Sequence, residues 1–183
     1  MSDPVSALAG ASFDGFAAVR EIGPLGMITL RATPDIEGLA AAIKAAVGVA
    51  MPAARRIELA GTRAAGWMSP DEYLLILPYA EVAAARAVLD KALAGQHYLA
   101  TDVSDARAVF RITGARADQV LAKLVPVDLA SLAPGELRRS RAAQVAAAFW
   151  RDGDGFTLVS FRSVAGYVLG LLRQSAQPGS ELR

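Results

Sequence analysis

The sequence contains no cysteine and a single histidine, His97, in 183 residues. The first absence removes disulfides, thiolate nucleophiles, iron-sulfur clusters and cysteine zinc sites together. The second leaves no set of imidazoles from which a His-rich metal centre could be built. Neither charge is in excess: 19 basic side chains stand against 18 acidic ones, a formal net charge of +1, so no overall field recruits nucleic acid or an anionic membrane. No uninterrupted apolar run approaches the roughly 20 residues of a membrane span. Asp3 and Pro4 interrupt the place where a basic, then apolar, secretory signal would lie, which predicts a cytoplasmic protein. Phosphate-cradling glycine patterns are missing as well, since residues 23–26 and 61–66 fit neither GxGxxG nor GxxxxGK(S/T).

What is present is apolar and rich in alanine, with a hydrophobic fraction of 54%. A chain of this length can bury a core without metals or disulfides. Any apolar side chains left over must cover a partner surface, which favours a subunit over a free monomer.

The clearest local signal is residues 103–129, VSDARAVFRITGARADQVLAKLVPVDL. Over residues 107–113, Ala108, Phe110 and Ile112 alternate with Arg107, Arg111 and Thr113, the period of a half-buried strand. Gly114 breaks it, and Ala117, Val120, Leu121 and Leu124 then share one helix face. Pro126 lacks an N–H and restricts Val125, so the helix stops there.

Residues 1–16 read as an irregular leader. Residues 17–22 and 27–32 predict strands joined through Gly23, Pro24 and Gly26. Pro34 and Asp35 open a helix to about residue 47, with Ile36, Leu39, Ala40 and Ile43 on one face. A short strand over 56–60 and a turn over 61–66 precede residues 67–78, where the run Tyr73, Leu74, Leu75, Ile76, Leu77 predicts a central strand covered on both faces. A helix over 81–93, closed by Gly95, and a strand over 97–103 complete the order strand, helix, strand, strand, helix, strand. That order is a split βαβ, or ferredoxin-like, unit. From Arg107 it begins again: a strand, a helix, a connection through Pro126 and Pro134, strands 141–151 and 155–161, and a helix over 163–175 with Ser163 as its N-cap. Only the last strand is missing. The expected fold is α+β, with two ferredoxin-like halves packed together as one domain over 17–176, divided into about 17–103 and 104–176. Residues 177–183 read as a flexible tail.

Few residues invite a chemical reading. His97 has no sequence-near partner for a triad, so a structural or surface role is favoured. Asp71 and Glu72 are adjacent, and neighbours on a strand point to opposite faces, so they fit a turn better than an acid-base pair. Asp152 and Asp154 in DGDG resemble the start of a calcium loop, but Phe156 stands where the next ligand belongs and cannot coordinate calcium, so a hairpin turn fits better. Arg138, Arg139 and Arg141 form the densest cationic cluster, either solvated loop charge or a receiver for an acidic partner surface. Trp67 and Trp150 each flank a strand, as partly buried side chains or as interface anchors. These five residues are the candidate partner interface; no catalytic, cofactor-binding or metal residue is assigned.

Four blocks, read in order, carry a family resemblance: WMSPDEYLL at 67–75, VSDAR at 103–107, ITGARADQVLAKLVPVDL at 112–129 and FRSVAGYVLGLL at 161–172. Together they resemble the gamma subunit of heterotetrameric sarcosine oxidase, over nearly the whole chain after the leader. Shorter versions look like the folate-binding domain of the glycine cleavage T-protein, which agrees with a duplicated α+β fold. The resemblance implies a place in a four-chain flavoenzyme that oxidatively demethylates sarcosine to glycine, passes a one-carbon unit to tetrahydrofolate and releases hydrogen peroxide. It also implies that FAD, FMN, NAD and tetrahydrofolate belong to the larger subunits. The small chain would then be a non-catalytic assembly component docked on the large (alpha) subunit. The rival expectation is a free-standing folate-binding or one-carbon transfer protein of the T-protein class.

Overall fold

Short apolar runs and alternating patterns fold into eleven strands and four α-helices in the computed structural model, which describes residues 4–182. Along the chain these are β1 (Ser12–Asp14), β2 (Ala18–Ile22), β3 (Gly26–Ala32), α1 (Leu39–Val47), β4 (Ile57–Ala60), β5 (Arg63–Ser69), β6 (Glu72–Leu77), α2 (Val82–Ala92) and β7 (Tyr98–Asp102). After them come β8 (Arg107–Thr113), α3 (Ala117–Ala122), β9 (Leu137–Ala142), β10 (Val145–Asp152), β11 (Gly155–Phe161) and α4 (Ala165–Ser175). The chain divides into two units, Leu25–Ser104 and the residues on either side of it.

Leu25–Ser104 holds one antiparallel sheet in the order β4-β5-β6-β3-β7. Strands β3, β5, β6 and β7 with α1 and α2 make the split βαβ unit, and β4 widens it by a hairpin. Alternate residues of β3 and β6, Ile28, Leu30, Leu75 and Leu77, meet Leu39 and Ile43 of α1 and Leu89 of α2 in the core. Burial of a leucine-sized side chain contributes about 1.5–3 kcal/mol, so these positions anchor the unit. The opposite face of the sheet carries no helix of this cluster.

The flanking residues build a six-stranded antiparallel sheet, β1-β2-β8-β11-β10-β9. Phe110, Ile112, Phe149, Phe156 and Leu158 form its core face, with Val120 and Leu121 of α3 and Val168 and Leu172 of α4. Here the missing last strand is found. β2 pairs with β8, from Ala18 opposite Thr113 to Ile22 opposite Val109, and so occupies the fourth position of the second split βαβ unit. Residues 25–104 are therefore inserted between two neighbouring strands of one sheet.

Several sequence expectations change. The first α-helix begins at Leu39 rather than Pro34, because Gly38 at its N-cap adopts a left-handed conformation (φ 78°) that interrupts helical geometry. The stretch 67–78 is a hairpin: Trp67 ends up on β5, Pro70 and Asp71 turn, and β6 follows. The strand expected over 141–151 is likewise two strands, reversed at Ala143, whose φ is 50°. Ser163 lies in a 3-10 turn (Arg162–Val164), and α4 is preceded by Val164 with no side-chain cap bond.

The termini are also built in. Glu21, 5% exposed, accepts hydrogen bonds from the Leu8 N–H (2.9 Å), the Gly10 N–H (2.8 Å) and the Ser6 hydroxyl (2.9 Å). Arg162 donates to the carbonyls of Val5 and Ser6. At the other end, Lys123 donates to the carbonyls of Ser175 and Ser180, and Arg116 pairs with Glu181 at 3.4 Å. The irregular leader and flexible tail expected at 1–16 and 177–183 are thus tied down over these residues. Residues 1–3 and 183 lie outside the described residues.

Candidate functional site

The register of the five-stranded sheet lines up four side chains that are far apart in sequence. Leu99 on β7 stands opposite Arg31 on β3, Arg31 opposite Glu72 on β6, and Glu72 opposite Ser69 on β5. Directly opposed residues share a face, so this row lies on the face away from α1 and α2. At its end opens a cleft of ≈ 350 Å³ lined by Arg31, Ala32, Thr33, Asp71, His97, Tyr98 and Leu99.

Arg31 is the centre of the polar network. Its Nη1 donates to Asp71 Oδ2 at 3.1 Å and its Nη2 to Glu72 Oε2 at 3.2 Å. Ser69 Oγ donates to Asp71 Oδ1 at 2.8 Å. That hydroxyl, and then the Arg31 guanidinium, hold the Asp71 carboxyl below its ordinary value, against the opposing effect of desolvation. The Tyr98 hydroxyl donates to Asp90 Oδ1 at 2.9 Å, which with partial desolvation raises its own pKa above the usual phenolic range.

Arg31 and Asp71 both line the cleft and are bonded to each other, while the buried Glu72 holds the other guanidinium nitrogen. The Ser69 hydroxyl donates to Asp71, and a carboxyl held below its ordinary value by that hydroxyl and Arg31 is a weak base for activating a serine. The phosphates of flavin and dinucleotide cofactors and the carboxylates of folate are anionic. They do not fit a cleft whose guanidinium is already bound by Asp71 and Glu72.

The sequence-based candidates land in different places. Asp71 and Glu72 converge after all, on two nitrogens of Arg31, because Asp71 sits in the β5–β6 turn and not on the strand. His97 is exposed at the cleft rim. The arginine cluster is divided by β9: Arg138 lies opposite Phe149 and pairs with Glu136 at 2.9 Å, while Arg139 and Arg141 are exposed on the other face, opposite Ala148 and Ala146. Trp67 is half-buried against the core of the Leu25–Ser104 unit. Trp150 is 3% exposed, opposite Leu137 and Thr157. The acidic DGDG turn is held by Arg111, which pairs with Asp152 at 3.3 Å and Asp154 at 3.5 Å. Among the described residues no group of three or more His, Cys, Asp or Glu could hold a metal ion, and no helix is long and apolar enough to cross a membrane.

Arg31, Ser69, Tyr98 and Leu99 were not singled out from the sequence. Arg31 and Asp71 are 40 residues apart, and only strand register brings them together.

Comparison with known proteins assigns the fold to a family. Residues 32–177 match the model of the sarcosine oxidase, gamma subunit family. The chain belongs to this family. It is 34% identical over 154 residues to a sarcosine oxidase subunit gamma from Arthrobacter sp, covering 81% of this chain and 73% of that protein. It is 33% identical over 153 residues, with the same coverage, to the subunit gamma of Corynebacterium sp. (strain P-1). Among solved structures, the heterotetrameric sarcosine oxidase from Corynebacterium sp. U-96, in complex with pyrrole 2-carboxylate, superposes with a TM-score of 0.79 at 27% identity, over 87% of this chain and 83% of that one. The glycine cleavage system aminomethyltransferase T from Bartonella henselae gives 0.64 at 15% identity, over 86% of this chain and 46% of that one, a likeness of fold alone. Within the sarcosine oxidase gamma family, the matched span takes in β7 and most of the cleft.

Proposed function

We propose that this chain is the gamma subunit of a heterotetrameric sarcosine oxidase and that its role there is non-catalytic, supporting assembly of the complex. The observation that carries this reading is family membership over residues 32–177 together with the 0.79 superposition on a heterotetrameric enzyme. The polar groups of the cleft point the same way, since they are bonded to one another and not aimed at a reacting atom. On this reading FAD, FMN, NAD and tetrahydrofolate sit in the larger subunits. The complex acts in the cytoplasm, converting sarcosine to glycine with one-carbon transfer to tetrahydrofolate and release of hydrogen peroxide, and the large (alpha) subunit is the neighbour. Arg139 and Arg141 remain candidate contacts by their exposure and Trp67 by its half-exposed side, whereas Arg138 and Trp150 would act through the packing around them.

The test is activity by subtraction. The purified chain is expected to hold no flavin and to release no peroxide from sarcosine, and it is expected to show no saturable binding of tetrahydrofolate. Flavin retention or turnover by the isolated chain contradicts the non-catalytic role. Saturable folate binding favours the free-standing one-carbon reading.

A further inference from the structure

Residues 177–182 are held against α3 by polar side chains, with little apolar burial to help. Arg116, Gln119 and Lys123 stand at i, i+3 and i+7 around that helix and so share one of its faces. Arg116 pairs with Glu181 at 3.4 Å, and the Leu182 N–H donates to Gln119 Oε1 at 2.9 Å. Lys123 Nζ donates to the Ser180 carbonyl and to Ser180 Oγ, the latter at 3.0 Å. None of residues 177–182 is buried, and Leu182 is 49% exposed. A surface segment held by a few polar bonds belongs to the low end of local stability.

Lys123 does more than hold this segment. It also donates to the Ser175 carbonyl at 2.7 Å, one of the orphan carbonyls at the C-terminal end of α4, where the helix dipole favours a cation. The three ammonium protons thus meet three oxygens. The centre of the Phe16 ring lies 5.0 Å from the same nitrogen and 5.2 Å from the Arg116 guanidinium, within reach of cation–π attraction. The Phe16 N–H donates to the Ala176 carbonyl at 3.0 Å, and a Cβ on Gly15 would fall 1.9 Å from that oxygen. The turn between β1 and β2 is therefore seated on the end of α4, beside the ammonium that holds residues 177–182.

We propose that Lys123 is a latch that closes the β1–β2 turn and residues 177–182 together, so that the two segments open as one unit while the six-stranded sheet stays formed. This does not depend on the gamma-subunit reading. With residues 177–182 displaced, Lys123 loses two of its three acceptors and has less to hold it over the Phe16 ring. With the turn displaced, the ammonium loses that ring and the Ala176 carbonyl loses its donor. Closure of either segment therefore favours closure of the other, and the coupling is reciprocal. Opening bares the face of α3 that carries Arg116 and Lys123, together with the last carbonyls of α4. The latch thus sets when that end of the unit can be reached.

Hydrogen exchange of the full chain tests this. The reporters are the amides of Phe16 in the turn and of Ser180 and Leu182 in the latched segment, each of which is hydrogen-bonded. The amides of Phe110 and Leu158, opposite each other in the β8–β11 ladder, serve as controls. Lys123→Met keeps most of the side-chain length and removes the charge with all three donors. It is expected to speed exchange of the three reporters by about tenfold or more, with the controls unchanged. Glu181→Lys sets a third cation beside Arg116 and Lys123 and displaces residues 177–182 while leaving Lys123, Ala176 and the turn intact. It is expected to speed exchange at Phe16 along with Ser180 and Leu182. If Ser180 and Leu182 exchange faster in Glu181→Lys while Phe16 keeps its native rate, the segments open independently and the latch is overturned. Native rates for all three reporters in Lys123→Met would overturn it equally. Faster exchange of the controls in Lys123→Met would signal general unfolding, and Glu181→Lys, which leaves the core untouched, then decides.

Discussion

Two carboxylates, Glu21 and Asp71, hold local structure by different means. Glu21 is buried and gathers three donors from residues 6–10, so truncation removes the acceptor all three share, leaving the Gly10 N–H its second bond to Ser6 Oγ. Glu21→Ala is expected to cost about 1–3 kcal/mol in urea unfolding, with faster exchange of the Leu8 and Gly10 amides. A native-like exchange pattern in that variant would mean the segment is held by something else. Asp71 is exposed, and its effect is a matter of pH. Its folded-state pKa is depressed, first by the Ser69 hydroxyl, so its stabilising contribution is fully present above the unfolded value of 3.8 and is lost as pH falls through the lower folded value. Asp71→Asn should therefore lower the urea midpoint at pH 7, with the gap to the native protein closing below about pH 3.8. An equal gap at pH 7 and pH 2.5 would contradict the assignment.

At the scale of elements, the informative case is β2. It completes the sheet of the second half through pairing with β8, where Ala18 stands opposite Thr113, 95 residues downstream. Val19, on its core face, is fully buried beside Phe110 and Ile112. Val19→Asp places a carboxylate there without a cationic partner and is expected to cost about 3 kcal/mol or more. At the start of β11, Gly155 is packed so closely that a Cβ would fall on the Ile112 carbonyl. Gly155→Ala should therefore part the β8–β11 ladder and cost about 2–4 kcal/mol, measured by chemical denaturation. Native stability in either variant would mean that β2 or β11 lies elsewhere.

The same elements explain what could be read beforehand. β8 and β11 were legible to the residue, since each is a strand with clean period-two or continuous apolar character bounded by glycine or a change to helical period. Hairpins were harder. The Pro70–Asp71 reversal is embedded between Trp67 and a continuous apolar run, and β9 carries three arginines, so neither resembles a strand boundary by composition. The Arg31–Asp71–Glu72 network was invisible because its parts sit on different strands, and register depends on pairing that periodicity alone does not encode. The same holds for the missing fourth strand. The pattern showed its absence from the end of the chain but not its source at the beginning.

For the whole molecule, a duplicated split βαβ fold goes together with membership of the sarcosine oxidase gamma family. The chain is near-neutral and contains no cysteine. Its use, on this reading, is the surface it offers to larger subunits. The most direct test is co-expression of those subunits with and without this chain, followed by size-exclusion chromatography. Flavin absorbance and sarcosine-dependent peroxide are then read on the same fractions. This chain is expected to co-elute with the flavin, and its omission to lower the yield or stability of active complex. Separate elution of this chain, with full activity retained in the larger subunits alone, would contradict it.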